Sequence, residues 1–471
     1  MRELLVGAGY TVAGVRELLG NVAGGALARD EIVPALRATR GGSPVEVLTR
    51  LFWLQVPVAV DAIGSDELLA AGLVEASGGE LRALLRVEPV EGVGGEGHVG
   101  YVVSDLKHRP GAGVPAADHV VGAGGASGNL ARLVVHRGVD NVLDLGTGCG
   151  VQAVHLAGRN PPARITATDV NPRALELAAM SFALSGVEGA ELLEGSLLEP
   201  VQGRRFDLIV SNPPFVVAPG GRRFTYRESG MEGDDFCRSL VREAPEYLSD
   251  GGYCQLLANW LHVDGVPWDE RVGAWVDGCD AWIVQRDVQD PAEYIELWLR
   301  DSCEAGTPEY RARYEEWLDH FERRNVVGVG FGWITLRRGE RPAVRIEDLR
   351  HAVEEPVGAY VGEILDGLRR GAEFSTGCGQ VVAAAPGLVQ EQVGPPGAED
   401  PERIVLRQTE CLRRAAGVGT VEAGLAGVCD GTLAVEPLLD AIAQLTGMDP
   451  GQVRSHADVV LPELIADGFF V

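Results

Sequence analysis

The sequence predicts an α/β protein built on a doubly wound, Rossmann-like sheet of seven strands, and three observations carry that expectation. Apolar runs of strand length alternate with helical patterns from Val142 to about Arg338. The first run, Val142-Leu-Asp-Leu145, passes directly into Gly146-Thr-Gly148-Cys-Gly150 and then into a helical pattern. The last, VVGVGFGWITLRR at 326–338, fits a closing antiparallel strand.

The expected strands are 142–145, 165–169, 190–194, 206–211, 252–258, 280–286 and 328–337. Helices are expected at 150–158, 172–185, 235–248 and 267–277, with further helical patterns at 291–300 and 308–323 before the seventh strand. The domain that holds this sheet is placed at 106–350. Ahead of it, residues 1–105 read as a mostly helical, winged-helix-like accessory domain. Ser43-Pro44 is the cap and first-turn proline of a helix over 45–54. Ser65 and Gly72 bound a short helix, and Gly78-Gly79 signals a hairpin inside 73–87. Residues 351–471 read as an α+β C-terminal domain, winged-helix-like at its end, where Leu464-Ile-Ala-Asp-Gly-Phe-Phe-Val echoes Leu68-Leu-Ala-Ala-Gly-Leu-Val-Glu.

Composition narrows the function classes. The chain of 471 residues is 46% hydrophobic and carries a formal charge of −27. Such a chain repels a phosphate backbone at long range, so nucleic-acid binding requires a local basic patch. Lys107 is the only lysine; with His98, His108, Arg109 and His119 it makes 98–119 the most basic stretch, which reads first as a solvated loop and alternatively as a cap over a pocket with Gly124–Ser127 near one end. The eight cysteines form no C-x-x-C pair and no cluster with histidine, so neither a zinc site nor a disulfide framework is expected, which suits a reducing cytoplasm. The N-terminus does not have the form of a signal peptide, and no segment approaches the ~20 apolar residues that span a bilayer.

The chemistry is concentrated in Val142–Phe215. Glycines at 146, 148 and 150 let the backbone turn sharply and approach a ligand without a Cβ in the way. G-x-G-x-G preceded by Asp144 departs from the dinucleotide fingerprint G-x-G-x-x-G and favours a methionine-bearing nucleoside over a pyrophosphate. Asp169 ends the second strand, where its carboxylate can accept from both ribose hydroxyls while Asn171 caps the next helix. The fourth strand ends in Asn212-Pro213-Pro214-Phe215. Two prolines offer no N–H and fix the turn, Asn212 adds an amide oxygen, and Phe215 offers a face for a planar group. Together they can accept both hydrogens of an NH₂ group and aim its lone pair.

DLGTGCG, Asp169 and NPPF resemble the class I S-adenosylmethionine-dependent N-methyltransferases of the small-methyltransferase group, in particular the release-factor glutamine N5-methyltransferases. Guanine N2 and adenine N6 enzymes of that group are also similar. Residues 225–260 resemble the stretch that follows the NPP motif in the glutamine enzymes, and the resemblance covers about 120–338. It implies S-adenosyl-L-methionine as cofactor, held by Asp144, Gly146, Thr147, Gly148, Gly150, Asp169, Val170, Ser196, Leu197 and Asn212. Ser196 stands where such enzymes carry an acid for the adenine amino group. Asn212, Pro213, Pro214 and Phe215 are the expected catalytic residues, and no metal is implied. The expected function is methylation of a planar NH₂ nitrogen, a protein glutamine amide first, with an exocyclic amine of RNA or DNA as the alternative. A non-catalytic scaffold that binds S-adenosylmethionine is a third expectation. The substrate is expected to be macromolecular and no membrane partner is expected.

Overall fold

The computed structural model describes residues 1–91, 99–108, 115–135, 138–159, 164–219, 230–301, 306–339, 342–396 and 401–471. His98, Arg109 and 225–229, named above, lie outside these. The chain divides into two compact units. One comprises Met1–Ala131, His136–Asp277 and Val284–Arg338, and the other Arg132–Val135, Gly278–Ile283 and Gly339–Val471. Among the described residues no helix is long and apolar enough to cross a membrane.

The first unit is organised by the expected sheet, whose strands are β1 (Asn141–Leu145), β2 (Arg164–Asp169), β3 (Glu191–Glu194), β4 (Phe206–Ser211), β5 (Leu248–Val263), β6 (Asp280–Gln289) and β7 (Val326–Arg337). Their order is β3-β2-β1-β4-β5-β7-β6, and an eighth strand that the sequence did not lead one to expect, Val344–Asp348, lies beside β6, whose first four residues belong with it to the second unit. β1 to β5 run parallel, and β7 is antiparallel to β5 over Tyr253↔Arg337 to Val263↔Val326. β1 and β4 are buried almost throughout, as expected of parallel strands covered on both faces. The order reverses between β1 and β4, and in such sheets ligands bind beyond the carboxyl ends of the strands at that switch point. β5 starts four residues earlier and ends five later than the apolar run alone indicated, because Leu248 pairs with Phe206 of β4 at its start and β7 pairs with it from Tyr253 to Val263.

The N-terminal residues build helices at Arg2–Gly7, Val12–Leu27, Val33–Ala38, Pro44–Leu48 and Asp66–Ala70. At the fourth, Ser43 donates its N–H to Glu46 Oε2 at 2.8 Å, so the start of that helix was set locally. Its end was not, since Thr49–Trp53 continues as a π-helical turn. Val74–Ser77 and Glu80–Ala83 form the hairpin about Gly78 and Gly79, both at positive φ, with Val58–Ala59 as a third strand.

A second hairpin, Arg86–Glu91 with Val99–Ser104, joins this region to the sheet's helices. Among the described residues its outer strand has no further strand beside it, and the helix Pro172–Ser185 satisfies amides of that strand instead. Ser181 Oγ accepts from Val103 N, and Ser185 Oγ, one turn on, accepts from Tyr101 N, each at 2.8 Å. Tyr101 donates to Tyr10 O and Tyr10 donates to Val87 O, and both rings are fully buried. One continuous apolar cluster thus runs from Tyr10 and Phe52 through Tyr101 to Val154 and Phe182.

In the second unit, the helices Val361–Glu373 and Pro450–Ala466 pack closely because a Cβ at Gly371 would strike the Pro462 carbonyl. Nearly buried Arg414 pairs with Glu347 at 2.5 Å and with Asp467, and Arg345 pairs with Asp467 at 2.6 Å. The unit also holds the helices Thr420–Val428 and Val435–Thr446, the three-stranded sheet of Leu388–Val393, Arg403–Gln408 and Ala415–Val418, and a two-stranded sheet of Val381–Ala383 with Asp430–Ala434.

The serine pair yields a direct check. Ser185→Ala leaves two buried backbone groups of Tyr101 unpaired, because Ser185 Oγ also donates to Tyr101 O. Chemical denaturation should show a loss of about 1–3 kcal/mol. A change under ~0.5 kcal/mol would mean that the hairpin is not held in this way.

Candidate active site

The carboxyl ends of β3, β2, β1 and β4 open on one cavity of about 600 Å³, within the usual range for small-molecule sites. It lies wholly within the first unit. Every sequence-predicted site residue except Gly150 lines it.

The glycine loop is fixed by its neighbour strand. Gly146 and Thr147 both donate their N–H to the Thr168 carbonyl at 2.9 Å, and Gly148 N donates to Asp169 Oδ2 at 2.9 Å. Gly146, Gly148 and Gly150 have φ of +70°, +54° and +80°. At Gly150 a Cβ would sit 2.7 Å from Phe182 Cε1, so this residue serves packing and lies behind the cavity wall. Asp144 is 1% exposed; its Oδ2 accepts from Thr147 Oγ1 at 2.7 Å and from Ala153 N at 3.2 Å. The carboxylate braces the loop and the first turn of the helix Val151–Arg159.

At the end of β2, Asp169 also accepts from Asn171 N at 2.9 Å, and Asn171 caps the helix Pro172–Ser185 by accepting from Arg173 N. Capping therefore falls to Asn171, and Asp169 retains lone pairs facing the cavity. Beyond β3, Gly195 donates to the Asp169 carbonyl. Ser196 is exposed, and half-buried Leu197 takes φ +51°, a left-handed conformation rare for such a side chain and found chiefly at functional sites.

At β4, Ser211 Oγ donates to the Leu145 carbonyl at 2.8 Å, tying the strand ends together before the Asn-Pro-Pro-Phe turn. Asn212 Oδ1 is buried and meets no hydrogen-bond partner among the described residues. A buried acceptor without a donor costs about 1–3 kcal/mol, so this atom is placed for a ligand's N–H or O–H. Phe215 meets Trp298 edge-on at 6.2 Å.

Several cavity residues escaped the sequence. The helix Pro291–Asp301 brings Trp298 to Phe215 and Tyr294 beneath the turn, where the Tyr294 hydroxyl accepts from Val217 N at 2.8 Å and from Asn259 Nδ2 at 3.0 Å. The helical pattern was visible; its partner across 77 residues was not. Arg86 and Glu88, from the second hairpin, line the opposite wall, and only the rarity of buried charge in a strand could have marked them. Lys107, His108, His119 and Gly124–Ser127 do line the cavity.

Burial sets the electrostatics. It pushes the Asp144 carboxyl up to about 6, against its hydrogen bonds from Thr147 and Ala153, and raises Asp169 and Glu88 as well. Three desolvated carboxylates make the cavity receptive to positive charge. Among the described residues no group of His, Cys, Asp or Glu is arranged to hold a metal.

A glycine cradle at β1, an acid at the end of β2 and an amide before two prolines at β4 define a class I methyltransferase domain. The comparisons agree: residues 125–262 match the family model "Methyltransferase small domain", and 7–84 match a "Domain of unknown function (DUF7059)". Residues 125–262 are thus a methyltransferase domain of the small-methyltransferase group, and its cofactor is S-adenosyl-L-methionine. The release factor glutamine methyltransferase of Geobacter sulfurreducens is 41% identical over 122 residues, 24% of this chain and 43% of that protein. The ribosomal protein uL3 glutamine methyltransferase of Bradyrhizobium diazoefficiens is 32% identical over 181 residues, 35% and 57% of the two chains. The ribosomal RNA small subunit methyltransferase C of Salmonella choleraesuis is 37% identical over 119 residues, 25% and 31%. The chain spans about half the length of the release-factor relatives it matches, or less.

Asp144 offers a titration test. Its folded-state pKa, about 6, lies above the ordinary 3.8, so folding favours the protonated form. That stabilisation is present below the ordinary value and lost as pH rises through about 6. Asp144→Asn is neutral at every pH, so its Tm should rise relative to wild type between about pH 4.5 and 7.5. A difference independent of pH would contradict the assignment.

Proposed function

We propose that this protein is an S-adenosyl-L-methionine-dependent N-methyltransferase whose acceptor is a planar NH₂ nitrogen, a protein glutamine side-chain amide first. The observation that carries this reading is the unpartnered, buried Oδ1 of Asn212 at the head of the Asn-Pro-Pro-Phe turn. The bound cofactor supplies a methyl group made electrophilic by its sulfonium.

The chain's own residues supply position. Asn212 Oδ1 and the Pro213 carbonyl accept the two hydrogens of the substrate's NH₂, and Pro214 keeps the turn from relaxing. Phe215, backed by Trp298, gives the planar amide a face to lie on. Holding the nitrogen on line for displacement is a positioning effect worth up to about 7–11 kcal/mol where fully realised. Asp169, with Gly146, Thr147, Gly148 and Val170, holds the nucleoside; Ser196 and Leu197 line its adenine end. Asp144 and Gly150 act one layer back, shaping the loop.

A protein acceptor is preferred over a nucleic acid on charge, since −27 opposes a polyphosphate. Two of the relatives above are named for glutamine methylation, one of a release factor and one of a ribosomal protein, and a third for ribosomal RNA. Incubation with methyl-labelled cofactor and separate protein, RNA and DNA fractions of a cell extract tests the reading. Label is expected in protein, on glutamine by mass spectrometry; label confined to nucleic acid would overturn the acceptor assignment. Asn212→Ala should lower kcat about 10²-fold, the loss expected of a misplaced acceptor. Full turnover by that variant would refute the acceptor mechanism.

A further inference from the structure

The role above leaves unexplained why the hairpin ahead of the sheet places a buried ion pair in the cofactor cavity. Glu88 is 4% exposed and lines the cavity although it lies outside the matched methyltransferase domain. Its Oε1 meets Arg86 Nη2 at 2.7 Å and its Oε2 accepts from Ala123 N at 3.1 Å. The approach is close: a Cβ at Gly122 would collide with Glu88 Oε2. Arg86 in turn lies over the Trp53 ring, 5.7 Å from its centroid, and its Nε is buried without a hydrogen-bond partner among the described residues.

The sheet order tells which part of a bound nucleoside lies beside Glu88. Ser196 stands beyond β3, Asp169 at the end of β2, the glycine loop beyond β1 and Asn212 at the end of β4, in the order β3-β2-β1-β4. Adenine, ribose and the sulfur-bearing chain therefore follow one another from β3 toward β1 and β4. Glu88 lies at the β1 end of that series. Besides its contacts with Gly122 and Ala123, it lies near Cys149 within the glycine loop itself, whose thiol burial, and after it the Glu88 charge, pushes up to about 12. A carboxylate has about four acceptor sites, and Arg86 and Ala123 occupy two. Asp144 is committed to Thr147 and Ala153, and Asp169 is at the ribose position. Asp105, also on the cavity wall, is paired with Arg173, and Asp301 ends the helix that carries Trp298, so Glu88 is the carboxylate that stands beside the glycine loop, where a methionine tail brings a primary ammonium.

We infer that Glu88 accepts the α-ammonium group of the cofactor's methionine tail, and that Arg86 holds Glu88 in place for it. The segment ahead of the methyltransferase domain then completes the cofactor site. This inference rests on the assignment of S-adenosyl-L-methionine to the cavity. It differs from a purely structural role, in which Glu88 only supports the loop at Gly122 and Ala123.

Calorimetric titration with S-adenosylhomocysteine and with its analogue lacking only the α-amino group separates the two roles. Wild type should bind the deamino analogue about 10- to 100-fold more weakly, the size expected of a hydrogen bond between charged groups. Glu88→Gln keeps an oxygen for Ala123 N–H but loses the charge. It should weaken S-adenosylhomocysteine to a similar degree and leave the deamino analogue within about twofold of wild type, so that the two deletions are not additive. Equal weakening of both ligands by Glu88→Gln would assign Glu88 to the loop alone and overturn the inference. If that variant does not fold, wild type still decides: equal affinity for the two ligands would overturn it. Wild type that binds neither would remove the cofactor assignment and this inference together.

Discussion

The site depends on one interlock between neighbouring strands. The Thr168 carbonyl at the end of β2 receives the amide protons of Gly146 and Thr147, and the next residue's side chain, Asp169 Oδ2, receives that of Gly148. Three successive amides of the turn are thereby fixed to the adjacent strand, and the turn cannot relax without breaking the parallel register Leu145↔Thr168. Only residues free to take positive φ can follow that path, which is why Gly146 and Gly148 alternate with side chains that face elsewhere. Asp169 faces the cavity because Asn171 takes the cap of the following helix.

That geometry has an electrostatic cost. Asp144, Asp169 and Glu88 are all desolvated, and burial raises the pKa of each, at Glu88 against the opposing charges of Arg86 and Lys107. Arg86 partly offsets Glu88. A positively charged cofactor would relieve the rest, which makes ligand binding and stability two aspects of one quantity. Packing elsewhere in the unit sustains the strain: Trp260, Trp317, Tyr294 and Phe321 are fully buried around the ends of β5 and β7.

What could be read from the sequence follows the range of the forces involved. Strands β1 to β4 were legible because a doubly covered parallel strand is a short apolar run, and the glycine loop and Asn-Pro-Pro-Phe were legible because their backbone demands few residue types. The helix Pro172–Ser185 was read to its ends, with Asn171 as the local signal at its start; the structure closes it on Gly186 at φ +72°. The full length of β5 was not legible, because its start is fixed by pairing with β4 and its end by pairing with β7. Nor was the π-helical turn Thr49–Trp53, which interrupts a pattern that looks helical throughout. Tyr294, Trp298 and Glu88 escaped for one reason: each reaches the site through a contact whose partner is dozens of residues away, and no local pattern records it; Arg86 follows Glu88, its neighbour but one.

Asp169 is the residue through which the cavity is expected to hold the cofactor. Calorimetric titration of S-adenosyl-L-methionine into wild type and Asp169→Ala measures this directly. The prediction is one site per chain in wild type and affinity about 10- to 100-fold weaker in the variant, the loss expected on removing hydrogen bonds to a charged acceptor. Equal affinity in the two proteins, or no binding by wild type, would contradict it.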